Sequence, residues 1–150
     1  MRMTRGNSRL RKLASGKRSK LEERIGEALA LIGSVEYEPD RLHFIQPAVA
    51  RYYVPDFKLG DNNYIEVKGR LTLEDRKKLL WVKEQHPNVV VRLIFGNASN
   101  KLTKRSKTTY RDWAVTNGFD CIDSNEPIPK HWFNKLEKLS KRGKKLIESS

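Results

Sequence analysis

Val54-Pro55-Asp56-Phe57-Lys58-Leu59-Gly60-Asp61-Asn62-Asn63-Tyr64-Ile65-Glu66-Val67-Lys68 reads as two strands folded about a turn. Gly60 to Asn63 are residue types that accept the backbone angles of a tight turn. On either side of them apolar and polar residues alternate, the period of a strand. Antiparallel pairing about Asp61 sets Asp56 opposite Glu66. It puts Phe57, Leu59, Ile65 and Val67 on one face as core, and Val54, Asp56, Lys58, Tyr64, Glu66 and Lys68 on the other. Two opposed carboxylates repel. A raised pKa, a basic side chain or a bound cation offsets such repulsion. Lys68, diagonal to Asp56, supplies one positive charge, and a hard divalent ion held by oxygens would supply two more. The competing reading is an exposed face on which the charges are simply hydrated.

The flanking sequence alternates helical and strand patterns. Ser19 with Glu22 three residues on is a capping box. Leu21, Ile25, Ala28, Leu29 and Ile32 follow at helical spacing and Gly33 stops the helix. Strands are predicted at Val35–Tyr37, Leu42–Gln46 and Arg51–Leu59 from their β-branched and aromatic content. Thr72, with Asp75 as partner, starts a second helix that runs to His86 and stops before Pro87. Val89–Phe95 is nearly all apolar, the mark of a strand buried on both faces. Tyr110–Asn117 reads as a short helix ended by Gly118, Phe119–Ile122 as a last strand, and His131–Lys141 as a final helix. The class is α/β, a central mixed sheet with helices packed on it.

Charge and composition narrow the function. The 150 residues carry 31 Lys+Arg against 18 Asp+Glu, a formal net charge of +13. Residues 1–20 hold Arg2, Arg5, Arg9, Arg11, Lys12, Lys17, Arg18 and Lys20 and no acid, and residues 138–145 add five more cations. Basic ends around a mixed-charge middle suit a polyanion such as nucleic acid. The division expected is a basic tail over 1–16, one domain over 17–136 and a second basic tail over 137–150. No stretch approaches the ~20 apolar residues of a membrane span. The basic start has no apolar signal-peptide core, so no membrane partner is expected. Cys121 alone makes neither a disulfide framework nor a thiolate zinc site.

Pro55-Asp56, nine further residues, then Glu66-Val67-Lys68 is the PD…ExK pattern of restriction-endonuclease-like nucleases. Ser19 to Glu22, Pro55 to Phe57, Glu66 to Gly69, Glu74 to Lys78, Glu84 to Pro87, Ile128-Pro129 and Trp132 stand around it in order. Together they resemble the bacteriophage endonuclease I family, Holliday-junction resolvases of short-tailed phages. That resemblance implies a restriction-endonuclease-like sheet in a strand-exchanged homodimer, with the exchanging bridge near Gln46–Tyr53. It implies a DNA endonuclease acting on four-way and other branched junctions in the cytoplasm of an infected bacterium. Its catalytic carboxylates fall on Glu22, Asp56 and Glu66, and its catalytic lysine on Lys68. It also implies two Mg²⁺ (or Mn²⁺) ions per site and no small-molecule cofactor. Asp56 is shared between the ions, Glu66 and the Val67 carbonyl complete one, and Glu22 completes the other.

Glu22 therefore carries two readings, helix cap and metal ligand. Lys101, Lys104, Arg105 and Lys107 in a polar loop are candidate phosphate contacts. Arg76, Lys77 and Lys78 sit early in a helix where cations oppose the macrodipole, which favours a phosphate partner. Lys17, Arg18 and Lys20 complete the expected DNA-binding set. His43, His86 and His131 do not cluster, and Trp81, Trp113 and Trp132 read as packing. Two alternatives remain: a restriction-type duplex nuclease with the same acids, and a non-catalytic basic coat protein.

Overall fold

Helix α1 (Lys20–Ile32) begins where the Ser19 hydroxyl accepts the Glu22 N–H at 3.1 Å, and it buries Ile25, Leu29 and Ile32 along one face. The computed structural model describes residues 19–46, 49–135 and 140–147. After α1 come β1 (Glu36–Tyr37), β2 (Leu42–Gln46), β3 (Val49–Tyr53), β4 (Phe57–Gly60) and β5 (Asn63–Lys68). Helix α2 (Leu73–Gln85) opens on a full capping box between Thr72 and Asp75 and ends at His86. Strand β6 (Val90–Phe95), helix α3 (Tyr110–Thr116) and strand β7 (Cys121–Asp123) follow. A second capping box, Thr109 with Asp112, starts α3, and Gly118 at φ 77° closes it in the left-handed conformation that glycine adopts without strain.

The main sheet has the order β1-β4-β5-β6-β7. Its β1, β4 and β5 are antiparallel, whereas β5, β6 and β7 run parallel, so the sheet is mixed. Phe57 pairs with Ile65 and Lys58 with Tyr64, the register read from the hairpin, before a bulge at the turn. Strands β2 and β3 form a separate two-stranded hairpin. Within this chain, that hairpin occupies the stretch expected to bridge two subunits; residues 47–48 at its tip lie outside the described residues.

Both sheet faces are covered. Phe57, Leu59, Ile65, Val67, Ile94 and Ile122 pack with α1 and Trp132 on one side. Tyr64, Leu93 and Phe95 pack with Phe44, Leu79, Val82 and Trp113 on the other. Glu66 lies on this second side and is 3 % exposed. Hydrated charges on an open face are thereby excluded: this is a buried acid.

Four elements differ from the sequence reading. Arg51–Leu59 is two strands, because Pro55 has no N–H for a ladder and the chain breaks at Val54–Asp56. The last strand starts at Cys121, two residues later than expected, because the chain first bonds Phe119 N–H back to Ala114 of α3. Of the helix expected over His131–Lys141, the start is instead a 3₁₀ turn at Lys130–Trp132 followed by extended backbone at Phe133, and residues 136–139 lie outside the described residues. Consecutive Trp132 and Phe133 both reach the core, and successive side chains on an α-helix diverge by about 100°. A helix does form later, α4 (Lys141–Leu146), capped by the Ser140 hydroxyl. It packs on α1, and Ile147 beyond it is buried, so residues 140–147 of the expected C-terminal tail belong to the folded body.

Candidate active site

Asp56 sits just before β4, and its Oδ2 accepts the Val67 N–H at 2.8 Å. The side chain thus takes a ladder bond at the point where the strand is broken. The Asp56 main-chain carbonyl points the other way, accepting from Glu38 N–H at 2.8 Å.

Glu66 stands beside Asp56. Burial first, and then the charge and side chain of Glu66, push the Asp56 carboxyl up to about 10, and Glu22 adds to this. Lys68 Nζ lies 3.7 Å from Glu66 Oε2 and 3.2 Å from Asp75 Oδ1. Burial works against its charge, yet Glu66 and Asp75 outweigh burial and raise its pKa. The lysine is therefore held as a cation between two acids.

Glu22 approaches from α1. A Cβ on Gly96 would meet Leu21 at 3.1 Å, so this glycine lets the first turn of α1 come close to the ends of β5 and β6. The Glu22 carboxylate accepts from the Ser19 hydroxyl at 3.3 Å and from the Tyr37 hydroxyl at 2.9 Å. Burial and then this bond raise the Tyr37 pKa, which keeps the phenol a donor.

The donor set fits a hard divalent cation. The half-buried Asp56 and buried Glu66 carboxyls sit side by side, and a bound cation would favour both in the charged form. Among the described residues, no group of three or more His, Cys, Asp or Glu is gathered to enclose an ion. The pair of Asp56 and Glu66 is assembled, and Glu22 stands apart from it on Tyr37.

Of the residues expected to contact DNA, those described lie in the loop after β6 and in the first halves of α1 and α2. Lys101, Lys104, Arg105 and Lys107 are all exposed in one loop, closed by a bridge between Lys101 and Thr109. That loop follows Phe95, whose strand partner is Lys68. Lys20 and Lys77 are exposed, and Arg76 is half-buried with its Nε unpartnered. Lys77 lines a cleft of about 440 Å³ with Phe44, Arg51, Glu74, Asp75, Lys78 and Trp81. Lys17 and Arg18 lie outside the described residues.

Three residues entered the sequence reading only as structure. Asp75 read as a cap partner, Tyr37 as a strand residue and Tyr53 as part of a strand. Nothing local in the sequence marks them, since their partners lie 7 positions away for Asp75 and 15 for Tyr37.

An adjacent acid pair and a lysine at the carboxyl end of a strand are groups that cation-assisted hydrolysis of phosphodiesters can use. Residues 3–147 match the family described as phage endonuclease I. Endodeoxyribonuclease 1 of Enterobacteria phage T3 is 37 % identical over 112 residues, 74 % of each chain. Endonuclease I of Escherichia phage T7 is 34 % identical over 122 residues, 81 % of this chain and 80 % of its own. The chain belongs to the phage endonuclease I family and is a deoxyribonuclease. Membership in a family of nucleases overturns the non-catalytic coat protein as a reading.

Proposed function

We propose that this endonuclease is structure-selective, hydrolysing phosphodiester bonds at four-way (Holliday) and other branched DNA junctions as a Mg²⁺- or Mn²⁺-dependent homodimer in the cytoplasm of an infected bacterium. The observation that carries the hydrolytic part is the burial of Glu66 against Asp56 beside Lys68. Such a pair is unfavourable in a resting protein and favourable once cations and a phosphate share the site. The junction preference, the homodimer and the host compartment rest on the family resemblance.

Asp56, Glu66 and the Val67 carbonyl would hold one cation, and Asp56 with Glu22 the other. Bound there, divalent ions acidify water and neutralise the attacking and leaving oxygens of the phosphodiester. Asp56 also ties the hairpin together through the Val67 N–H, so the two strands move as one. Lys68, anchored by Asp75, keeps an ammonium at the scissile phosphate to orient water or stabilise developing charge. The exposed cations of the 101–107 loop and of α2 supply sequence-independent affinity for the backbone.

The test compares a four-way junction, plain duplex and single strand of matched sequence, each with Mg²⁺ and with EDTA. Preferential, EDTA-sensitive cutting of the junction is expected. Equal or better cutting of duplex at a fixed sequence would favour the restriction-type reading instead. Co-expressing wild type with Glu66→Gln tests the dimer, because each subunit is expected to cut one strand. Mixed dimers should mainly nick a cruciform plasmid that wild type linearises.

A further inference from the structure

Tyr53 ends β3, pairs with Leu42 across the hairpin and is 2 % exposed. Its hydroxyl has no hydrogen-bond partner among the described residues. Buried hydroxyls are nearly always paired, and an orphan in a native protein asks for a reason. Two other buried tyrosines of this molecule obey the rule: Tyr37 donates to Glu22 at 2.9 Å and Tyr64 to Asp40 at 2.8 Å. Tyr53 is set among the charges of Glu66, Asp56 and Asp75, Glu66 acting on it most strongly of the three, yet its hydroxyl closes no hydrogen bond of normal geometry.

The ring cannot turn the hydroxyl away. It is packed into the core under α2, with Lys78 Nζ 5.5 Å above its centroid. A phenol moves on only two torsions, so its oxygen goes where the ring goes. Glu66 has oxygen lone pairs to spare: Lys68 lies 3.7 Å away, beyond hydrogen-bond reach, and the protonated Asp56 carboxyl beside it can supply only one hydrogen. A buried hydroxyl without an acceptor thus stands beside a buried carboxylate that can accept more than one bond.

We propose that Tyr53 is a positioning residue of the hydrolytic site, its hydroxyl donating to the Glu66 carboxylate and fixing its orientation when DNA is engaged. Lys78 stands over the same ring and also lines the cleft, whose cations Arg51, Lys77 and Lys78 face the acids Glu74 and Asp75. The inference rests on the assignment of hydrolysis to Asp56, Glu66 and Lys68, and is independent of junction preference.

The experiment is Tyr53→Phe in the full chain, which removes one oxygen and keeps the packing. Single-turnover cleavage with saturating Mg²⁺ should fall about tenfold or more, the size expected when a hydrogen bond to a charged group is removed. DNA affinity measured in Ca²⁺ should stay within about twofold of wild type. The melting temperature should be equal or higher, because the variant no longer buries an unpaired hydroxyl. A cleavage rate within about twofold of wild type overturns the proposal. So does a rate loss accompanied by a lower melting temperature or weaker DNA binding, which is what a packing role would give. The assay uses whichever DNA the wild type cuts, so failure of the junction reading and failure of this one are told apart.

Discussion

Lys68 and Asp75 are joined by an ion pair of 3.2 Å that uses only one oxygen of the carboxylate. The other oxygen accepts from the Thr72 N–H at 3.0 Å and the Thr72 hydroxyl at 2.8 Å, closing the capping box of α2. One side chain therefore starts a helix and anchors the lysine at the end of β5. Thr72 and Lys68 both hold the Asp75 carboxyl below its ordinary range, against the effect of burial.

Asp75 variants should separate these two duties. Asp75→Ala removes both and should cost about 1 kcal/mol of stability through the cap, along with a severe loss of cleavage. Asp75→Asn keeps an oxygen for Thr72 and loses the charge that holds Lys68. It should melt near wild type yet cleave about tenfold or more slowly. Thermal unfolding and single-turnover rates measured on both variants check this.

Asp56→Asn, Glu66→Gln and Lys68→Ala should each reduce cleavage by about 10²-fold or more, since each removes a charge aimed at the reacting phosphate or its cations. Junction binding in Ca²⁺ should survive, because affinity comes from the basic surface. Gel-shift and cleavage assays on one preparation decide it, and any of the three variants cutting within a few-fold of wild type defeats the site assignment.

The Asp56 carboxyl is raised from 3.8 to about 10. Between those values the unfolded chain is ionised here while the folded chain keeps its proton, so the folded state binds more protons. Its contribution to stability is complete below about pH 3.8 and is lost as pH rises toward 10. Cation-free wild type should therefore lose stability relative to Asp56→Asn across that window. Adding Mg²⁺ at pH 8 should raise the melting temperature of wild type and not of the variant. Denaturation curves at several pH values, with and without Mg²⁺, measure both effects.

Glu22 is where cap and ligand compete. Glu22→Gln should leave the stability of α1 near wild type, because Gln also fills a capping box, while cleavage drops sharply. Tyr37→Phe, which frees the Glu22 carboxylate from its 2.9 Å bond, should slow cleavage less. Full activity in Glu22→Gln would leave the residue as a cap alone.

Deleting residues 1–16 removes Arg2, Arg5, Arg9, Arg11 and Lys12. If these side chains neutralise phosphates, the slope of log affinity against log salt should shrink by about 0.9 for every phosphate they no longer reach. An unchanged slope and affinity would make the segment a passive solubiliser.

The legible part of this protein is local. Caps at Ser19 and Thr72, the turn at Gly60–Asn63 and the pairing of Phe57 with Ile65 all depend on residues within a few positions of one another. The two acids and the lysine were legible for the same reason, since one hairpin carries them at a spacing set by strand geometry. Tertiary packing alone settled how those acids are surrounded. Glu66 is buried because α2 and the β2–β3 hairpin lie over its face of the sheet, and no alternation pattern states what covers a strand. The start expected for a helix at His131–Lys141 differed likewise, since Trp132 and Phe133 both seal the core beneath α1. Asp75 on Lys68, Tyr37 on Glu22 and Tyr53 facing Glu66 each join different elements of the fold. Such pairings arise only when packing brings distant positions together, and a hydrogen bond chosen by packing leaves no period in the sequence.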